Sequence, residues 1–190
     1  MTNKMFAIVK TRTSGLGLIE IQIPAIGIDD VLIKVQATAI CGSDMPIFTW
    51  DDPWVCRTVK EGQIIGHEFC GIVVQVGKNV RNINEGDFVT AEGHIFCGNC
   101  YHCRTGAAHI CPHLSLVGFN FPGAFAQYIR IPSRNIVKLG NLPLEVAAIQ
   151  DPFGNAVHAI SKVNVANASV LVTGCGPVGL MVISLVLTLG

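Results

Sequence analysis

Apolar and polar positions alternate through the first part of the chain, in short runs separated by glycine and proline. The clearest run is VLIKVQATA, whose alternation is that of a half-buried strand. Together with β-forming residues bounded by turn residues, this pattern predicts six strands: Met5–Lys10, Gly17–Ile23, Val31–Ala39, Phe69–Val76, Asp87–Ala91 and Phe125–Ile131. Short strands punctuated in this way predict a partly open β-barrel with long functional loops.

The pattern changes near Pro143, where longer apolar runs begin. The segments LPLEVAAIQ and PFGNAVHAISKV each have a proline near their start and predict helices. A short apolar strand is predicted over Ala168–Thr173, followed by a glycine-rich turn and an apolar helix over Val178–Leu189. The change in pattern places a domain boundary near residue 152.

Composition and charge narrow the possible partners. The 190 residues are 50% hydrophobic and 14% charged, with a formal net charge of zero, so no basic surface for nucleic acid is expected. The apolar segment Val178–Leu189 is shorter than the roughly 20 residues of a membrane span, which favours a buried helix. The N-terminus, MTNKMFAIVK, lacks the apolar region of a secretory signal, and a cytoplasmic location is expected.

Four cysteines lie within the fifteen residues CGNCYHCRTGAAHIC, at the spacing C-x2-C-x2-C-x7-C. They are Cys97, Cys100, Cys103 and Cys111. Four thiolates so close in sequence can surround one tetrahedral zinc and leave no position for water or substrate, which predicts a structural site. An iron–sulfur cluster or disulfides are the alternatives, and both are less favoured. The metal would order a loop over residues 93–117.

A second, dispersed set of residues has the chemistry of a catalytic zinc site. It consists of Cys41, His67, Glu68 and Asp151. Cysteine, histidine and carboxylate can hold zinc with one open position, and Asp44 could accept the second N–H of His67. Taken alone, a single cysteine and a single histidine are more often packing residues.

The glycine-rich turn has the spacing G-x-G-x-x-G between a predicted strand and a predicted helix, as in dinucleotide-binding folds. Its residues are Gly174, Gly176, Pro177, Val178 and Gly179. The helix N-terminus would offer free N–H groups to a pyrophosphate. An ordinary glycine-rich turn is the alternative. The acidic residue that separates NAD from NADP is expected about 20 residues further on, beyond Gly190.

Taken together, the motifs CGSD, GHEFCG, DPFGNAVH, GCGPVG and the four-cysteine segment resemble the zinc-dependent medium-chain dehydrogenases. Within that family the chain is most similar to the members that oxidise threonine. The resemblance implies a GroES-like barrel over 1–152 and the beginning of a Rossmann domain over 153–190. It also implies oxidation of a secondary alcohol, the C3 hydroxyl of L-threonine, with hydride passing to NAD; NADP stays open.

The resemblance also implies roles for single residues. Cys41, His67 and Asp151 match the catalytic zinc ligands, and Glu68 matches a carboxylate that enters or leaves the zinc shell. The four cysteines match the structural zinc lobe. His94 matches a histidine near the substrate, and Ser43 matches the first hydroxyl of a proton relay. Pro46 stands where the relay usually has a histidine, so the proton must leave by another route or through water.

The resemblance covers about half of a typical family member. The chain is therefore expected to be an N-terminal piece that is inactive alone, with a homotetramer expected only for the full length. A polyol or other secondary-alcohol dehydrogenase is the alternative enzyme. A zinc-binding interaction module without catalysis is the alternative of another class.

Overall fold

The computed structural model describes residues 3–189, so the outer ends of the two predicted domains, 1–2 and 190, lie outside the described residues. Within the described residues there are nine strands: β1 (Lys4–Lys10), β2 (Leu16–Gln22), β3 (Asp30–Ala39), β4 (Glu68–Val76), β5 (Phe88–Ala91), β6 (His94–Ile95), β7 (Ser115–Leu116), β8 (Tyr128–Pro132) and β9 (Ile136–Lys138). The α-helices are α1 (Met45–Thr49), α2 (Pro53–Thr58), α3 (Tyr101–Arg104), α4 (Leu144–Ala148), α5 (Gln150–Ile160) and α6 (Pro177–Leu189).

Five strands form one antiparallel sheet in the order β8-β3-β4-β5-β9. The separate hairpin β1–β2 is joined to the rest through the isolated bridges Ala7↔Ala126 and Val9↔Ile64. The core lies on the inner face of the sheet, where apolar side chains such as Val31, Ile33 and Phe69 are almost fully buried. This arrangement confirms the predicted partly open barrel.

The register of β3 and β4 positions the candidate site. The two strands pair from Val31↔Val76 to Ala39↔Glu68, so the end of β3 lies beside the start of β4. Cys41 follows β3 by two residues, and His67 immediately precedes β4. Residues that are distant in sequence are thereby brought to one edge of the sheet.

Two short helices, which the sequence did not predict, cover this edge. α2 begins at Pro53, and Asp52 caps it by accepting hydrogen bonds from the backbone N–H groups of Trp54 (2.8 Å) and Val55 (2.9 Å). Apolar residues of α1 and α2 pack with Ile65 and Phe119 in a second small core.

The C-terminal part agrees only partly with the sequence prediction. The predicted helices are confirmed as α4, α5 and α6. The predicted strand over Ala168–Thr173 is wrong for the described residues, because a strand requires a hydrogen-bonded neighbour and none pairs with it within 3–189. The Rossmann domain and the boundary near residue 152 stay predictions. Between residues 3 and 189, no helix combines the length and apolarity needed to cross a bilayer.

Candidate active site

Three of the four predicted catalytic ligands converge at the junction of β3 and β4. One potential ligand atom from each of Cys41, His67 and Glu68 lies within 4.8 Å of the other two. Glu68 is buried, while Cys41 and His67 are half-buried. Burial raises the pKa of Glu68, and a hydrogen bond with the Cys41 thiol lowers it.

The donor chemistry of this group fits a zinc ion. Thiol sulfur, imidazole nitrogen and carboxylate oxygen are the three donor types that zinc takes from proteins. Glu68 is only 5% exposed, and a buried carboxylate is costly unless a positive charge is close to it. A dication among these three atoms would remove that cost.

Asp44 connects two members of the group. Its Oδ2 accepts a hydrogen bond from the backbone N–H of Cys41 at 2.9 Å, and its Oδ1 lies 3.6 Å from Nδ1 of His67. Oδ1 of Asp44 and Nδ1 of His67 are both buried, and neither has a hydrogen-bond partner among the described residues. Burial raises the pKa of Asp44, while the Cys41 N–H and the charge of His67 lower it. At 3.6 Å these two atoms are close but not hydrogen-bonded, so the orientation of His67 by Asp44 stays a prediction.

The other nitrogen of His67 faces Ser43. The distance from Nε2 to Ser43 Oγ is 3.5 Å, and Ser43 is exposed to solvent. The ring of His67 also contacts Phe119, with centroids 5.9 Å apart. The imidazole of His67 therefore lies between the Asp44 carboxylate, Ser43 and the ring of Phe119.

Asp151 does not join the three-residue group. It lies in an adjoining cavity of about 460 Å³, together with Glu92, His94, His109 and His158. Burial raises the pKa of Asp151, and the nearby charges of His67 and His94 lower it. The structure thus places Asp151 beside the candidate zinc site, within range of its charges, and the four-residue ligand set stays a prediction.

His94 lines the same cavity and is tied to Glu92. His94 Nδ1 lies 2.5 Å from Glu92 Oε1, which also accepts the backbone N–H of His94 at 3.0 Å. The bond raises the pKa of His94 and lowers that of Glu92. Glu92 was not predicted from the sequence. Its only local signal is the segment EGH, in which Glu92 and His94 lie two residues apart.

The four cysteine sulfurs form a compact tetrahedral group. Their Sγ–Sγ distances are 3.9 Å (97–103), 3.5 Å (100–103), 3.8 Å (100–111) and 3.6 Å (97–111). Four sulfurs about 2.3 Å from one tetrahedral zinc would lie about 3.8 Å apart. The distances are too long for disulfides, and a group this small suits one ion better than a cluster of several irons.

Two of these cysteines have shifted acidities. Backbone N–H groups of Asn99 and Cys100 lower the pKa of Cys97 to about 6, and burial raises the pKa of Cys103 to about 12. A thiol that ionises near neutral pH is ready to bind a cation. The sulfur geometry of this lobe and the lowered pKa of Cys97 fit the predicted structural zinc.

The glycine motif has the local geometry of a tight turn into a helix. Gly174 has φ +100°, which a residue with a side chain rarely adopts, and a Cβ at Gly179 would overlap the carbonyl oxygen of Gly174. Gly176 faces open space, beside a pocket of about 440 Å³. The open face over Gly176 fits a pyrophosphate approaching the start of α6.

The comparisons agree with this geometry. The chain matches the family described as alcohol dehydrogenase GroES-like domain over residues 27–141. It is 46% identical over 187 residues to an L-threonine 3-dehydrogenase of Caldanaerobacter subterraneus subsp. tengcongensis, a match that covers 97% of this chain and 54% of that relative. The chain thus spans about half the length of the curated relatives it matches.

Two solved structures have the same fold. Galactitol-1-phosphate dehydrogenase from Escherichia coli superposes with a TM-score of 0.86 at 28% identity, over 98% of this chain and 53% of that one. An alcohol dehydrogenase from E. coli CFT073 in complex with NADH gives a TM-score of 0.82 at 30% identity, over 96% and 53%. The chain belongs to the alcohol dehydrogenase GroES-like family, which confirms its resemblance to the zinc-dependent medium-chain dehydrogenases.

Proposed function

We propose that the whole protein oxidises a secondary alcohol, the C3 hydroxyl of L-threonine, with zinc and NAD. The observation that carries this proposal is the convergence of Cys41, His67 and Glu68 beside a cavity that contains a histidine–carboxylate pair. The substrate itself is proposed from the identity to L-threonine 3-dehydrogenases.

Cys41, His67 and Glu68 would hold the catalytic zinc, with Asp151 beside them. When bound there, zinc acts as a Lewis acid that polarises the alcohol oxygen and makes its proton more acidic. Asp44 lies 3.6 Å from Nδ1 of His67, and with zinc bound it would accept the Nδ1–H and orient the imidazole, while Nε2 faces Ser43. Such carboxylate–histidine pairs are common behind zinc ligands.

Ser43 offers a direct route for the substrate proton. Its hydroxyl lies beside His67 and is exposed to solvent, so water can take the proton from it. A histidine at position 46 is then unnecessary. We propose that the proton leaves through Ser43 and water.

His94 would contact the substrate from the cavity wall. Its bond to Glu92 fixes the ring and favours its charged form. A threonine carboxylate is an anion, so a cationic imidazole in this wall would bind it better than the uncharged end of a polyol.

The remaining assignments follow from the two other sites. Cys97, Cys100, Cys103 and Cys111 would hold a second, structural zinc. The turn from Gly174 to Gly179 would bind the pyrophosphate of NAD, with NADP not distinguished. A cytoplasmic homotetramer is proposed for the whole protein.

Substrate profiling tests the activity. The whole protein is incubated with NAD and with L-threonine, sorbitol or 2,3-butanediol, and NADH is followed by absorbance. We expect L-threonine to be preferred and Cys41→Ser to abolish turnover while Cys56→Ser, outside both cysteine groups, does not. A preference for sorbitol would support the polyol alternative. No turnover with any alcohol, and one bound metal in place of two, would support the non-catalytic module.

A further inference from the structure

Asn135 is a buried polar side chain that the proposed mechanism does not use. It is 2% exposed and lies in the 3-10 turn Ser133–Asn135, immediately before β9. A buried amide is retained at a cost unless its hydrogen bonds serve the structure around it.

The amide of Asn135 binds the backbone of the cavity wall. Nδ2 donates to the carbonyl oxygens of Glu92 (3.0 Å) and His94 (2.8 Å). The backbone carbonyl of Asn135 in turn accepts the N–H of Glu92 at 2.8 Å. Because both side-chain partners are carbonyls, only the NH₂ side of the amide can face them. Oδ1 has no hydrogen-bond partner within residues 3–189, so the donated bonds are what this side chain contributes.

These bonds fall where the chain changes from one sheet to another. β5 ends at Ala91, paired with Ile136 of β9, while His94 begins β6, paired with Leu116 of β7. Residues 92–93 lie outside both sheets and form the step between them. Asn135 donates one hydrogen bond on each side of this step, to Glu92 and to His94. The step carries Glu92 and His94, whose side chains bond to each other in the cavity.

We propose that Asn135 is a positioning residue that sets where the Glu92–His94 pair stands in the substrate cavity. It acts through the backbone of residues 92–94 and does not itself line the cavity. The proposal rests on the proposed function in one respect: it takes His94 to face the substrate. Removing the two donated bonds would leave two buried carbonyls unpaired and let the step relax.

The test compares Asn135→Leu with a matched control, Gln63→Leu. Leucine has the same branching and number of side-chain heavy atoms as asparagine but donates no hydrogen bond. Gln63 Nε2 also donates hydrogen bonds to two backbone carbonyls, those of Ile64 (3.2 Å) and Phe121 (2.7 Å). Gln63 lies outside the cavity. In the whole protein, we expect Asn135→Leu to lower kcat/KM for L-threonine about tenfold through KM, since it misplaces a binding group. Gln63→Leu should change it less than twofold.

A spectroscopic measurement separates this proposal from the proposed function. The ¹⁵N shift of His94 Nδ1 reports its bond to Glu92 whether or not the protein turns over threonine. Asn135→Leu should move this shift toward that of Glu92→Gln, and Gln63→Leu should leave it unchanged. If Asn135→Leu does not fold, Asn135→Ser, which keeps one donor, should give a smaller move in the same direction.

Unchanged His94 shifts in a folded Asn135 variant would overturn the proposal. An equal loss of threonine kcat/KM in Gln63→Leu would overturn it as well, because the effect would then be general destabilisation. A wild-type protein that oxidises no alcohol would refute the proposed function, and the His94 shifts would still decide the role of Asn135.

Discussion

At the scale of single residues, the Glu92–His94 pair links the cavity to pH. The bond to Glu92 raises the pKa of His94, so its stabilising effect is present below the ordinary value of about 6.5 and is lost as pH rises through the raised pKa. The bond to His94 lowers the pKa of Glu92, so its effect is present above about 4.5 and is lost as pH falls. The pair therefore favours the folded state most between those two values.

Glu92→Gln should remove this coupling. An amide carries no charge, so we expect the pKa of His94 to fall toward 6.5, which a proton NMR titration of the ring would measure. Glu85→Gln, at an exposed position, is the control. A His94 pKa that is the same in Glu92→Gln and in the wild type would contradict the assigned contact.

Two glycines of the dinucleotide motif should respond differently to alanine. A Cβ at Gly179 would overlap the backbone of Gly174, whereas a Cβ at Gly176 would meet nothing within 4 Å. We expect Gly179→Ala to lower stability by about 1–3 kcal/mol, as other overpacking changes do. Gly176→Ala should fold normally and weaken NAD binding alone. Urea unfolding and NAD titration check this pair, and equal stabilities would speak against the tight turn.

At the scale of elements, the strands of four or more residues were predictable, and the two- and three-residue strands β6, β7 and β9 were not. β1 to β4 lie within one residue of the predicted bounds, because alternation over seven or more residues specifies a strand. The three-residue β9 carries no such pattern and forms because β5 lies beside it. Ala168–Thr173 failed in the opposite way, since an apolar run alone does not supply a partner strand.

The site was predictable only through the family resemblance. Alternation shows that β3 and β4 are strands but does not give their register, which is what brings Cys41 to His67 and Glu68. The contacts of Glu92 and Asn135 depend on another tertiary pairing, that of β5 with β9. The four cysteines are different, because their ligand geometry is largely contained in one short segment.

The four-cysteine lobe contacts helix α5 through a pair of histidines, which permits a test between elements. His109 of the lobe packs edge-on against His158 of α5, with ring centroids 5.2 Å apart. Cys97→Ser should remove one zinc and lower the melting temperature by several degrees, consistent with a loss of a few kcal/mol. The NMR signals of His158 should shift at the same time.

Cys56→Ser provides the control for the lobe. This thiol is half-buried and belongs to neither of the two cysteine-containing groups. Its Sγ donates to the carbonyl of Trp50 at 3.6 Å. It should keep both metals and the His158 signals. Loss of activity in Cys97→Ser without loss of metal or stability would instead place the chemistry in the lobe.

At the scale of the whole molecule, one fold carries two groups of residues, of different kinds, that could each hold a metal ion. The cysteine lobe supplies four sulfurs and closes the coordination shell, whereas the group at the β3–β4 junction supplies three ligands beside a cavity. A closed shell serves structure, and an open position admits substrate. The barrel sheet supports the junction independently of the lobe, since the strands that form it lie outside residues 93–117.

Gradual removal of metal should therefore separate activity from stability. With increasing chelator, we expect the zinc at Cys41, His67 and Glu68 to leave first, because the cavity gives the chelator access and fewer protein atoms hold the ion. Threonine oxidation should disappear at that stage while circular dichroism and the melting temperature change little. Loss of the second zinc, from the lobe, should lower the melting temperature. Cys41→Ser should begin at the one-metal stage, and simultaneous loss of both metals, activity and fold would contradict this division.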